Sequence, residues 1–201
     1  ASGSYGLFLC THSGDNPAMT MLSPPPVPPH RAAWQHALAN AVRVPAVLLE
    51  RLSLSQEWLP SAERGAKLFP LLVPESYLAR MTLGDPHDPL LRQVLPLDVE
   101  GESPPGYSVD AVGDDAAQIA PGLLKKYNGR ALLITTGVCA VHCRYCFRRH
   151  YPYAESPRQL DDGQPALAAL AADESVHEVL LSGGDPLALS DARLFALITQ
   201  L

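Results

Sequence analysis

Three of the chain's four cysteines fall within eight residues, Cys139-Ala140-Val141-His142-Cys143-Arg144-Tyr145-Cys146, a C-x3-C-x2-C spacing. Three thiolates on one short loop can take three corners of a cubic [4Fe-4S] cluster and leave the fourth iron without a protein ligand. An open coordination position marks a catalytic metal rather than a sealed structural one. An electron-transfer ferredoxin normally supplies a fourth cysteine, and none follows Cys146. The competing reading is a zinc-stabilised, non-catalytic module with the metal on these thiolates and His142 or His150, although zinc ligands more often come as separated C-x2-C pairs. A third reading, inert buried cysteines, sits badly beside Arg144, Arg148 and Arg149, which are expected to depress the thiol pKa values.

Charge points the same way. From Leu124 to Arg158 there are seven basic side chains and one acid, a local +6 in a chain of net −6, so the remainder carries −12. A basic island in an acidic protein suggests bound phosphate or carboxylate. It is too short, and too poor in interleaved aromatics, for a nucleic-acid surface. Clustered thiols, with Cys10 standing alone, indicate a reducing compartment and not a disulfide scaffold. Leu7 to Cys10 is too short for a membrane span or a signal core, so no membrane and a cytoplasmic location are expected.

A loop of this kind needs a rigid edge to hang from. Arg130-Ala131-Leu132-Leu133-Ile134-Thr135-Thr136, ending at Gly137, has the profile of a buried parallel strand. Pro165 to Ala172 reads as a helix, Val179 to Ser182 as a second buried strand ended by Gly183-Gly184-Asp185-Pro186, and Ser190 as the cap of a last helix. Strand, helix, strand, helix is a parallel α/β unit and predicts the opening of a larger barrel. Upstream, Trp34 to about Leu95 is helical with breaks at Pro45, Pro74 and Asp85 to Pro89, and 98–120 reads as an irregular connector. The division expected is 1–30, a proline-rich disordered or non-native leader; 31–123, a mainly helical region and connector; and 124–201, the incomplete start of the barrel.

The C-x3-C-x2-C loop with Tyr145 before its last cysteine resembles the radical S-adenosylmethionine (SAM) superfamily. More narrowly, the run CAVHCRYCFRRHYPYAE, Cys139 to Glu155, is similar to the lysine 2,3-aminomutase group. Asp88-Pro89-Leu90-Leu91-Arg92-Gln93-Val94, Lys126-Tyr127-x-x-Arg130-Ala131-Leu132 and Ser182-Gly183-Gly184-Asp185-Pro186-Leu187 extend the likeness. Together they resemble the bacterial branch that makes (R)-β-lysine for attachment to translation elongation factor P.

The resemblance implies an α/β fold, an N-terminal helical region followed by the first βα units of a partial TIM-type radical SAM barrel. It implies an isomerase that moves the amino group of L-lysine. Cys139, Cys143 and Cys146 would hold the [4Fe-4S] cluster, whose open iron takes SAM. Gly183, Gly184 and Asp185 would lie near the SAM amino group, and Tyr145 beside the cluster and adenosine. Arg148 would grip the lysine carboxylate, a bidentate task suited to guanidinium. Tyr127 and Arg130 would contact pyridoxal 5′-phosphate (PLP), with Lys126 a further phosphate partner, while His142, His150 and His177 receive no role. The implied partners are a reduced flavodoxin or ferredoxin-type donor, and elongation factor P with its lysyl-transferring enzyme. Another radical SAM enzyme, a glutamate 2,3-aminomutase or an activase, is the alternative.

In the family, the lysine that bonds PLP and the acids that grip the substrate side-chain amine come later than these residues. The chain is therefore expected to be about half of the protein and inactive alone. With only two strands, Leu132, Ile134, Val179 and Leu181 are expected to lack closing partners and to leave apolar surface exposed.

Overall fold

The computed structural model describes residues 8–10, 33–154 and 164–201. In chain order the elements are β1 (Phe8–Cys10), α1 (Ala33–Ala39), α2 (Pro45–Arg51), α3 (Leu59–Leu68), α4 (Glu75–Leu78), α5 (Asp114–Ala117), β2 (Gln118–Ala120), β3 (Leu123–Tyr127), β4 (Arg130–Thr136), α6 (Gln164–Ala172), β5 (Glu178–Gly183) and α7 (Asp191–Gln200). They form two compact units. One comprises Val112–Cys139 and Tyr151–Leu201 with the N-terminal Ala1–Val27; the other comprises Pro28–Ala111 and Ala140–His150.

The helical unit begins each helix where the sequence allows a chain restart. Pro45 sits in the first turn of α2, where its missing N–H is no loss, and the helix buries Leu48 and Leu49. Those leucines pack with Leu52, Ala62, Leu71, Val73, Leu78, Leu91 and Val94 in one apolar core. Asp88 is the polar keystone of this unit. Its buried carboxylate accepts from the N–H groups of Thr82 (2.9 Å), Leu90 (2.8 Å) and Leu91 (3.0 Å), and so fixes the turn ahead of the 3-10 helix Leu91–Gln93.

The sheet unit is built on β4 and β5, which pair in parallel with Leu133 opposite Leu181 and Ile134 opposite Ser182. Alternate side chains face opposite ways. Leu123, Ala131, Leu133 and Leu181 pack with Ala166 of α6 and Leu197 of α7, whereas Leu124 and Ile134 pack with Ala117, Tyr151 and Tyr153. The Ser190 hydroxyl caps α7 by accepting from the Arg193 N–H at 3.4 Å.

Two expectations change. The sheet has five strands in the order β1-β5-β4-β3-β2, not two. Lys125 and Lys126 disguise β3 as a basic loop, yet it pairs antiparallel with β4 across the two-residue turn Asn128-Gly129, where Gly129 takes φ +77°. Ile134 and Leu181 are accordingly buried, because α6, α7, Tyr151 and Tyr153 cover the two faces. The exposed apolar faces expected of a two-stranded fragment are not found at these residues. From the leader, Phe8–Cys10 joins the sheet, antiparallel to β5 along its outer edge; β5 offers unpaired backbone groups there that a short apolar segment can satisfy. Residues 1–7 and 11–30 of that leader lie outside the described residues.

Candidate functional site

The C-x3-C-x2-C loop leaves the end of β4. Val138 donates from its N–H to the Thr136 hydroxyl at 3.1 Å, and Cys139 is the last residue of the sheet unit's first segment. Ala140 to His150 belong to the helical unit, and that segment is held there by a set of backbone carbonyls and by one carboxylate. After α3 the chain is extended at Phe69, and its carbonyls form a row of acceptors. Phe69 accepts from Arg144 Nη1 (2.8 Å), Pro70 from His142 Nδ1 (2.8 Å) and Leu72 from the His142 N–H (3.0 Å). The Arg144 N–H donates to Gln93 at 2.8 Å, and Val141 packs on the core. Burial lowers the His142 pKa, against the Pro70 contact that raises it, and the ring stacks on Phe69 at 5.0 Å.

Arg144 makes the strongest of these anchors. Its Nε and Nη2 fork onto Glu100 Oε1 (2.9 Å) and Oε2 (2.6 Å), its Nη2 also reaches the Gly65 carbonyl, and Arg149 Nη1 shares Glu100 Oε2 at 2.7 Å. The Arg144 and Arg149 side chains are only 6% and 11% exposed. Burial pushes the Glu100 pKa up, but the Arg144 hydrogen bond, the Leu97 N–H and the two guanidinium charges outweigh it and hold the carboxyl below its ordinary range. Arg149 Nε and Nη2 are buried with no hydrogen-bond partner.

At Cys143 the expectation that neighbouring arginines depress the thiol is corrected. The Arg144 and Arg149 charges go to Glu100, and burial raises the Cys143 pKa; a Tyr145 hydrogen bond lowers it and Cys146 raises it again. The basic island is compensated in the same way, by acids remote in sequence: Lys125 with Asp173, Lys126 with Asp114, and Arg130 with Glu178. Of the expected PLP contacts, Tyr127 and Arg130 are opposed residues of the β3–β4 ladder, both exposed. Lys126 Nζ is engaged by Asp114 and by the Val112 carbonyl, each at 2.6 Å. Arg148 is buried, with its guanidinium 4.8 Å from the Phe147 ring centroid.

Cys139, Cys143 and Cys146 are in no disulfide, and each is half-buried. Among the described residues no three His, Cys, Asp or Glu side chains are gathered as ligands of one ion. A cubane makes a different demand, one thiolate to each of three irons, and three half-buried thiols without disulfides are a donor set that suits it. Tyr145 is exposed, and its hydroxyl and that of Tyr77 both meet Gln93 Oε1 at 3.3 Å.

The turn after β5 is tightly made. Gly183 takes φ +116°, closed to other residues, and a Cβ on Gly184 would collide with the Val138 carbonyl. The Gly184 N–H donates to Thr136 (2.6 Å) and the Asp185 N–H to Val138 (2.7 Å), while Asp185 Oδ1 accepts from the Leu187 N–H. Asp88 and Gln93 fall in the segment that extends the likeness, but Glu100 and Tyr77 carry no local signature that marks them as supports of this site. Loop arginines in excess do require remote carboxylates, but periodicity cannot say which.

A family model described as Radical SAM superfamily matches residues 133–201. The chain is 47% identical over 174 residues to an L-lysine 2,3-aminomutase of Escherichia coli K12, covering 86% of this chain and 51% of that protein. It is 39% identical over 183 residues to the protein of the same name in Haemophilus influenzae, covering 91% and 54%. A more distant one from Clostridium subterminale is 29% identical over 174 residues, covering 84% and 41%. The chain thus spans about half the length of the curated relatives it matches.

Proposed function

Because the chain belongs to the lysine 2,3-aminomutase family of radical SAM proteins, we propose that it is the cluster-bearing part of an enzyme that converts L-lysine to (R)-β-lysine. The observation that carries this reading is the anchored loop of three cysteines outside any disulfide, in a chain 47% identical to a protein of that name. When bound, the cluster and SAM supply one-electron cleavage and a hydrogen-abstracting radical, and PLP carries the migrating nitrogen.

In this reading the chain's own residues bind and orient. Cys139, Cys143 and Cys146 hold three irons. Gly183, Gly184 and Asp185 receive the SAM amino group, where bare glycines let a ligand approach the backbone. Tyr145 lies beside the adenosine, and Arg148 clamps the substrate carboxylate with a two-pronged guanidinium. Tyr127 and Arg130 take the PLP phosphate from one end of the β3–β4 hairpin. The chain's three lysines are Lys67, Lys125 and Lys126. Lys125 and Lys126 are committed to ion pairs; the further reading that these 201 residues alone do not turn lysine over rests on the resemblance, which places the PLP-bonding lysine later.

The proposal extends to a cytoplasmic enzyme served by a flavodoxin or ferredoxin-type reductant, with β-lysine destined for elongation factor P through a lysyl-transferring enzyme. Among the described residues no helix is long and apolar enough to cross a membrane.

Anaerobic reconstitution tests the metal: a brown protein absorbing near ~400 nm, with about four irons and four sulfides per chain, is expected. Cys139→Ala, Cys143→Ala or Cys146→Ala should each abolish it, and Cys10→Ala should not. A colourless protein with one zinc sinks the reading. Incubating the intact protein that carries this sequence with SAM, PLP and dithionite, and with lysine or glutamate, distinguishes the two aminomutase substrates by product chromatography.

A further inference from the structure

We infer that Tyr153 is a positioning residue for the SAM-binding turn, joining the Cys139 end of the cluster loop to Gly183-Gly184-Asp185. The inference rests on the proposed reading of that turn. Tyr153 stands seven residues beyond the last cysteine, outside the motif, yet its hydroxyl donates to the Gly183 carbonyl at 2.8 Å. Its ring lies against Gly137 so closely that a Cβ there would come within 2.9 Å of Tyr153 Cβ and Cγ. One side chain therefore touches the exit of β4 and the exit of β5.

The need for it follows from the backbone. Gly183 at φ +116° has broad conformational freedom, so the peptide between Gly183 and Gly184 can rotate unless both its ends are held. Thr136 holds the N–H end through the 2.6 Å bond from Gly184, and Tyr153 holds the carbonyl end. Tyr153 is the side-chain member of this pair. It is kept in place by Tyr151, whose ring centroid is 4.9 Å away, and by packing on Leu124 and Ile134. A ligand whose amino group is received at the turn is sensitive to slack in the Gly183–Gly184 peptide, since misplacement of a bound group costs affinity and rate.

The test uses Tyr153→Phe in the reconstituted intact protein, with Tyr151→Phe as a control that removes a phenol from the same cluster without touching Gly183. Equilibrium dialysis with labelled SAM should show binding about tenfold weaker for Tyr153→Phe, as expected for one lost hydrogen bond. The KM for SAM should rise while iron content and lysine affinity stay unchanged and the thermal midpoint falls by no more than a few degrees, and Tyr151→Phe should bind SAM normally. Unchanged SAM affinity in Tyr153→Phe overturns the inference. Equal weakening in both variants, or loss of iron or fold in Tyr153→Phe, also overturns it by making the hydroxyl a general packing contact. Failure of the unsubstituted protein to bind SAM strikes the functional reading instead.

Discussion

Glu100 shows how much a single carboxylate can organise. It neutralises two buried arginines, Arg144 inside the cysteine motif and Arg149 just past it. Glu100→Gln removes the charge and leaves both guanidinium groups buried and uncompensated, which for a pair of this kind costs about 3–5 kcal/mol. Denaturant unfolding should register that loss, and reconstituted iron should fall with it as the loop loosens; an unchanged midpoint together with full iron content would contradict the account. Arg148 is a different case, proposed to face substrate and not to hold the fold. Arg148→Lys in the intact protein keeps the charge but loses the fork, so turnover of lysine should drop at least ~10-fold with iron content intact. Equal kcat and KM for lysine would remove Arg148 from the carboxylate clamp.

The short element that begins at Asp88 supports the loop from behind, because Gln93 at its end accepts the Arg144 N–H. Burial raises the Asp88 pKa, but the N–H groups of Leu91, Thr82 and Leu90 outweigh it and leave the carboxyl below the ordinary value. A folded pKa below the unfolded one, about 3.9 for Asp and about 4.3 for Glu, contributes stability that is complete above those values and is lost as pH falls through the folded pKa. Asp88 and Glu100 both have that sign. Thermal midpoints should therefore hold from pH 7 to about pH 5 and decline below about pH 4. Asp88→Asn keeps an acceptor but not the charge; it should cost about 1–2 kcal/mol at pH 7 and flatten the acid decline. An acid profile identical to that of the unsubstituted chain would mean that the carboxylate charge does not matter there.

At the scale of the whole molecule, the two units protect their interiors differently. β4 is flanked on both sides, by β3 and β5, and buries Leu133 and Ile134, while β2 ends the sheet with Ile119 exposed. Hydrogen exchange should find the slowest amides of the sheet unit in Leu133 and Ile134, and those of the helical unit in α2 at Leu48 and Leu49. Each of these side chains contributes about 1.5–3 kcal/mol by leaving water. Amides of β2 should exchange early, as expected of a short edge strand. Slow exchange in β2 that matches β4 would show that its outer edge is covered.

The sequence alone determined what is local. Three thiols at that spacing, a strand that ends at Gly137, a second that ends in two glycines, and Ser190 as a cap are short-range facts, and the strands and the cap are found where their residues put them. The cysteine motif and the parallel β4–β5 pair were legible for that reason. What tertiary structure decided is where long-range partners come from. β3 carries no strand signature of its own, because lysines at its exposed end follow a core of only two leucines, and its identity as a strand is settled by pairing with β4. The +6 of the island was summed along the chain, whereas electrostatics sums over space, where Glu100, Asp114, Asp173 and Glu178 stand beside five of its seven bases. The same reason hid the partners of Tyr153 and Gln93, although both residues lie in segments that carry the likeness. A hydrogen bond needs two groups within about 3 Å, and the chain distance between those groups, thirty residues from Tyr153 to Gly183, leaves no trace in a sequence pattern.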